Sequence, residues 1–247
     1  MRGRMPPIQD MFVGHLAVAF AAKRTAPTVN LAWLVAGVTT LDLVWPLFVL
    51  AGIEHVRIVP GTTAFTPLVF DSYPWSHSLL MAGAWGLVVA GLARWRGMGS
   101  ASGLLVALVV SHWVLDYVSH APDMPLWPGS SPHVGLGLWN SVAWTFVVEG
   151  AMWLAGIVVY LRIQPPRGWK SRLAFWSLVA VTTVLWASGP WSPPPPNTKA
   201  LGWFALIGWI VVPWAAFVER VKPQGALAQQ TNGANAEPSL DQGDTSA

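Results

Sequence analysis

The sequence predicts an all-α protein, a polytopic bundle of about six membrane-spanning helices with a short N-terminal re-entrant or interfacial helix. Three observations predict it. Of 247 residues, 53% are hydrophobic and 10% charged, where a soluble domain carries about 25% charged residues. Six apolar runs approach the roughly 20 residues that a helix needs to cross a hydrocarbon core. When those runs are drawn as alternating spans, only Arg57 and Lys199 of the 14 Lys and Arg fall on one side, the bias that marks the other side as cytoplasmic.

The elements follow in order. Residues 8–22 are apolar but too short to span, which leaves a re-entrant or interfacial helix. Ala19-Phe20-Ala21 also resembles a signal-peptide cleavage site, although Asp10 and His15 interrupt the run and Lys23-Arg24 follow it. The six spans are 31–52, 76–95, 101–119, 139–161, 171–188 and 200–218. Trp75, Trp95, Trp139 and Trp191 lie near their ends, where indoles form an interfacial belt. The 23 glycines suit helices that approach closely in lipid. Residues 192–196, Ser followed by four Pro, read as a stiff polyproline connector. The stretch 223–247, rich in Gln, Asn, Gly, Ser and Ala without an apolar stripe, reads as a disordered tail. The chain is thus one membrane-embedded domain, 8–222, with both termini cytoplasmic and the bilayer as its partner. No internal repeat of the kind that many transporters carry is evident.

Composition also limits the chemistry. With no cysteine, a metal ion could be held only by imidazole and carboxylate, and zinc is the divalent ion that such a set most often holds. A net charge of +3, scattered along the chain, does not argue for nucleic acid. The outer loops 53–75 and 120–138 are long, and long ordered loops tend to carry function.

Candidate functional residues cluster toward that outer face. His112, Asp116 and His120 recur at i, i+4 and i+8, which keeps them on one helix face. Ionisable groups at membrane depth cost at least ~2.5 kcal/mol each unless paired, solvated or coordinated. His77, between Ser76 and Ser78, opens the second span; Ser76 is placed to cap it, with His77 level with His120 and about two turns above His112. Asp42 lies mid-span with Pro46 after it, a spacing that suggests a bent or broken helix capped by the carboxylate. A re-entrant first helix would carry His15 into the bundle. Glu149, deep in the fourth span, could support the site, act as a general acid or base, or bond a neighbouring helix. Metal ligands are thus expected among His15, Asp42, His77, His112, Asp116 and His120, and catalytic carboxylates in Asp42 and Glu149. Glu54, His55, Asp71, Asp123 and His133 read as solvated loop groups.

The order Gly14-His15, Asp42, Ser76-His77-Ser78 and Ser111-His112-x-x-x-Asp116 resembles the predicted membrane-bound metal-dependent hydrolases of bacterial inner membranes, the YdjM-like family. The likeness covers about residues 12–128. It implies that His15, Asp42, His77, His112 and Asp116 stand at the family's His and Asp motif positions, and that the chain resides in a bacterial inner membrane. The order of these residues is more distantly similar to zinc-dependent phospholipases C. Two departures stand out: Leu41-Asp-Leu-Val44 replaces a Pro-Asp-x-Asp turn, leaving one carboxylate, and Tyr73-Pro-Trp75 stands where the family has Arg-Gly.

Three functions are compatible with these residues. A metal-dependent hydrolase would act on a phosphoester or lipid-like substrate near the outer interface. A proton- or cation-coupled transporter would use Asp42, His112, Asp116 and Glu149 as its relay. A non-catalytic scaffold would use the same groups to hold helices in register.

Overall fold

The structure, a computed structural model, describes residues 12–129 and 131–220. The expected tail at 223–247 and the first residues of the 8–22 segment lie outside that range.

The first helix, α1 (Phe12–Ala22), has 11 residues, about 16 Å of rise. It is the centre of the bundle. Between Val13 and Ala22 only Ala21 is exposed, because α1 packs against α2 (Leu31–Leu50), α5 (Ser102–Ser119), α6 (Val142–Ile163) and α7 (Trp169–Ser188). It therefore lacks the exposed polar face of a helix lying on a membrane surface. Phe20 packs among Trp153, Tyr160 and Phe175, with ring centroids 5.2, 5.1 and 5.8 Å away. The closest approach is to α6 at Gly156, where a Cβ would sit 2.7 Å from the Cα and carbonyl oxygen of Ala17. Only glycine lets these two backbones meet.

Asn30 opens α2 by accepting the Ala32 N–H at 2.9 Å. The expected break at Pro46 does not occur: α2 continues to Leu50. A proline inside a helix removes one backbone bond, the one otherwise accepted by the carbonyl four residues earlier. That residue is Asp42, which therefore lies within a continuous helix and not at a broken end.

After α2 comes a hairpin, β1 (His55–Ile58) and β2 (Leu68–Ser72), paired antiparallel. The second expected span is divided. The short α3 (Pro74–His77) is separated by the extended Ser78 from α4 (Leu79–Trp95). Ser78, not Ser76, caps α4 by accepting the Met81 N–H. The loop after α5 holds a second small ladder, β3 (Met124–Pro125) with β4 (His133–Val134), so the long loops contain strands within an otherwise helical fold. The last expected span divides into α8 (Thr198–Ala205) and α9 (Gly208–Arg220).

Among the described residues, five helical stretches can cross a membrane by length and composition: 31–50, 99–119, 142–163, 169–191 and 198–219. The 17 residues of α4 reach only about 25 Å, just short of the hydrocarbon thickness. Trp75, Trp95 and Trp191 are exposed as expected of a belt, but Trp139 is buried and has a different place, beside the site.

Candidate metal centre

Four elements bring their polar residues together. Asp42 comes from α2, His77 from the end of α3, and His112 and Asp116 from successive turns of α5. His15 approaches from α1. His15, His77, His112 and Asp116 are buried, while the Asp42 side chain keeps 20% of its exposure.

The ring nitrogens and carboxylate oxygens converge. His77 Nε2 lies 3.5 Å from Asp42 Oδ1 and 3.8 Å from Asp116 Oδ2. His112 Nε2 lies 3.5 Å from Asp42 Oδ1 and 3.0 Å from Asp116 Oδ2. A tetrahedral zinc site with ligands at ~2.0–2.1 Å has ligand–ligand edges of about 3.3 Å, so these separations bracket the right size. Two overlapping sets can each offer three ligands, His15 with His112 and Asp116, and Asp42 with His77 and His112. His77 lies nearer to His112 than two helical turns would place it, since their rings are 5.4 Å apart.

Hydrogen bonding behind the site orients these rings. His112 Nδ1 lies 2.6 Å from the Val38 carbonyl. A carbonyl can only accept, so Nδ1 carries a proton, and in the neutral imidazole Nε2 presents a lone pair. That lone pair faces Asp116 Oδ2. Neither atom has a hydrogen-bond partner among the described residues, and the same holds for Asp42 Oδ2 and His15 Nδ1. Two such acceptors, buried and facing one another, are unfavourable unless a metal ion or a proton joins them. His15 Nε2 lies 3.2 Å from the other oxygen, Asp116 Oδ1, and its ring stacks on His112 at 3.7 Å.

His120 stands apart from both ligand sets. Its Nδ1 lies 3.1 Å from Asp123 Oδ1 and 3.2 Å from the Tyr73 hydroxyl. Tyr73 donates to the same Asp123 oxygen at 2.8 Å. Burial, followed by the nearby Asp123 charge, pushes the Tyr73 phenol well above its ordinary range, which keeps it a donor. His120 packs on Trp139 and Phe70, at 4.4 and 4.8 Å, and lines the same small cavity as His15, Asp42, His77 and Asp116. Trp45, Phe70 and Trp139 complete its wall, and about 10 Å³ is open within it, roughly one water.

Glu149 is buried in α6 outside this cavity. It faces the indoles of Trp139 and Trp186, with neither carboxylate oxygen in a hydrogen bond among the described residues.

The residue that sequence reasoning missed is Glu54. It is buried, not solvated, and accepts three hydrogen bonds: from the backbone N–H of Trp75 and of Ser76, both at 2.8 Å, and from the Ser76 hydroxyl at 2.6 Å. Ser76 Oγ in turn lies 2.7 Å from His77 Nδ1. A carboxylate at the first residues after an apolar helix could have signalled a buried anchor, but its partners lie about 20 residues away.

Compared with known proteins, the chain matches no family model, no curated protein and no solved structure. The assignment of a buried His/Asp cluster suited to a metal ion, in a helical fold fit for a membrane, therefore stands on the chain's own geometry.

Proposed function

We propose that the chain is a membrane-embedded metal-dependent hydrolase whose ion is held by His77, His112 and Asp116, with Asp42 beside them and zinc the ion of choice. One observation carries this reading: His112 Nε2 and Asp116 Oδ2 face each other at 3.0 Å, buried and outside any hydrogen bond among the described residues. Two imidazoles and a carboxylate suit a borderline divalent ion and would leave its fourth position to water. His15 supports Asp116 from behind and could itself join the ligand set.

When bound, the ion would supply a water of lowered pKa and a positive charge for a developing oxyanion. The chain's own residues would do the rest. Asp42, the most exposed of the four and a wall of the water-sized cavity, is placed to accept a proton there. His120, held at Nδ1 by Asp123, turns its ring toward the same cavity and could hand a proton to a leaving group. The substrate class we favour is a phosphoester or a lipid-like ester, supported by the motif likeness to the YdjM-like family and to zinc-dependent phospholipases C. The charge bias of the loops supports six spans, with α4 as the sixth, and both termini cytoplasmic; a bacterial inner membrane is what the likeness to the YdjM-like family implies.

Metal content of detergent-purified protein tests the reading. One equivalent of zinc is expected in the wild type, and none in His112→Ala or Asp116→Ala. A wild-type protein that takes up no divalent ion would overturn it.

A transporter remains the second reading, favoured by Glu149, a buried carboxylate outside the metal cluster. Gradient-driven proton flux in vesicles that Glu149→Gln abolishes would move the assignment there.

A further inference from the structure

We infer that Glu54 is a positioning residue for this centre: acting through Ser76, it fixes the His77 imidazole in the tautomer whose Nε2 lone pair points at Asp42 and Asp116. The inference rests on the metal reading above, and it concerns a residue outside the ligand set.

Hydrogen-bond polarity carries the argument. An ionised carboxylate only accepts, and Glu54 accepts two backbone N–H groups and one hydroxyl. The Ser76 hydroxyl has a single proton, which goes to Glu54 Oε2. Its oxygen, 2.7 Å from His77 Nδ1, can therefore only accept there, so Nδ1 is the protonated nitrogen. In a neutral imidazole the lone pair then sits on Nε2, the atom 3.5 Å from Asp42 Oδ1 and 3.8 Å from Asp116 Oδ2. Glu54, Ser76 and His77 are all buried, which leaves little water to scramble this order.

The two imidazoles are set by different devices. His112 is oriented by the Val38 carbonyl, which no side-chain substitution can reverse. His77 is oriented by a side-chain relay, which one atom can reverse. In Glu54→Gln the amide oxygen keeps the two backbone N–H bonds, while the NH2 group replaces Oε2 and donates to Ser76 Oγ. The hydroxyl proton then turns to His77 Nδ1. The imidazole proton leaves Nδ1 and appears on Nε2, where it faces the ligand cluster and blocks coordination.

The test uses the full chain in detergent with Zn²⁺ as the probe. Zinc affinity is measured by competition with a chromophoric chelator, and the His77 tautomer by ¹⁵N shifts of the zinc-free protein. Glu54→Gln is expected to weaken zinc binding by about 10- to 100-fold and to exchange the two His77 ring-nitrogen signals. Ser76→Ala, which removes the relay without reversing it, should weaken binding less, and Glu54→Gln should then add nothing to it. An unchanged affinity in Glu54→Gln, or a His77 spectrum like the wild type's, overturns the relay. Wild-type protein that binds no zinc would sink the metal reading instead, while the zinc-free spectra still decide the tautomer.

Discussion

Two buried polar clusters sit toward opposite ends of the bundle, and they differ in satisfaction, not in burial. At one end, Lys23 donates to the carbonyls of Pro27 and Val29 at 2.9 and 2.7 Å and pairs with Glu219 Oε1 at 3.0 Å. Glu219 also accepts from the Leu31 N–H at 3.0 Å and the Tyr160 hydroxyl at 3.3 Å. All three ammonium protons have acceptors. Toward the other end, His112 and Asp116 turn acceptors toward each other with no donor between them among the described residues. The first cluster has the arrangement of a structural tie; the second has the arrangement of a site that a metal ion would complete. Charge at membrane depth does not by itself mark function, whereas lone pairs left facing one another do.

The largest expected effect tests the tie. Lys23→Ala removes the ammonium that pairs with Glu219 and all three of its hydrogen-bonded contacts, and should lower unfolding stability by about 3–5 kcal/mol. Thermal or denaturant unfolding in detergent reads the loss, and Lys23→Met with Glu219→Leu should recover most of it. If Lys23→Ala melts like the wild type, the two clusters are not different in kind.

A change of opposite sign is expected at the metal centre. In Asp116→Asn an amide N–H can donate to His112 Nε2, turning two facing acceptors into a hydrogen bond worth about 0.5–1.5 kcal/mol. The zinc-free variant should therefore melt above the zinc-free wild type, and its melting should no longer respond to zinc. Destabilisation of the zinc-free variant would mean that a proton, not a metal ion, joins the pair.

A comparable effect belongs to the packing that brings His15 to the site. Gly156→Ala would press a methyl group against the Ala17 backbone, 2.7 Å away, and should cost about 1–3 kcal/mol. It should also weaken zinc binding by displacing α1. Full stability with normal zinc affinity would show that α1 is free to shift.

The smallest effect is at the hairpin surface. Arg57 holds Asp71 through hydrogen bonds of 2.7 and 2.8 Å, and these place the Asp71 carboxyl below its ordinary range. A lowered folded value means that the pair's contribution is present above the usual carboxylate range and lost as pH falls through the lowered one. Both groups are substantially exposed, so Asp71→Asn should lower the melting temperature slightly at neutral pH. The difference should vanish in strong acid, and zinc affinity should not change.

The sequence made some of this legible and hid the rest for physical reasons. Spans show in composition because lipid excludes charge over a whole helix. The His112 and Asp116 pair shows because four residues make about one helical turn. Glu54 and the Lys23–Glu219 pair were hidden because their partners are distant in sequence and each sits at the edge of an apolar run, where charge is unremarkable. Pro46 misled because losing one backbone bond does not stop a helix whose flanks are packed. The hairpins were passed over as loop, although Val56, Ile58, Leu68 and Phe70 alternate with period two across the paired strands.

One junction in the chain has a practical corollary. Glu54 is followed at once by the hairpin's first residue, His55, so force or strain on that hairpin is transmitted to the carboxylate within a single peptide unit. An epitope tag or fluorophore grafted at the bend near Gly61 sits at the far end of the ribbon and spares the anchor. A protease nick between Ile53 and His55 would instead cut the anchor loose, and on the relay inferred above it would weaken metal binding in an otherwise folded bundle.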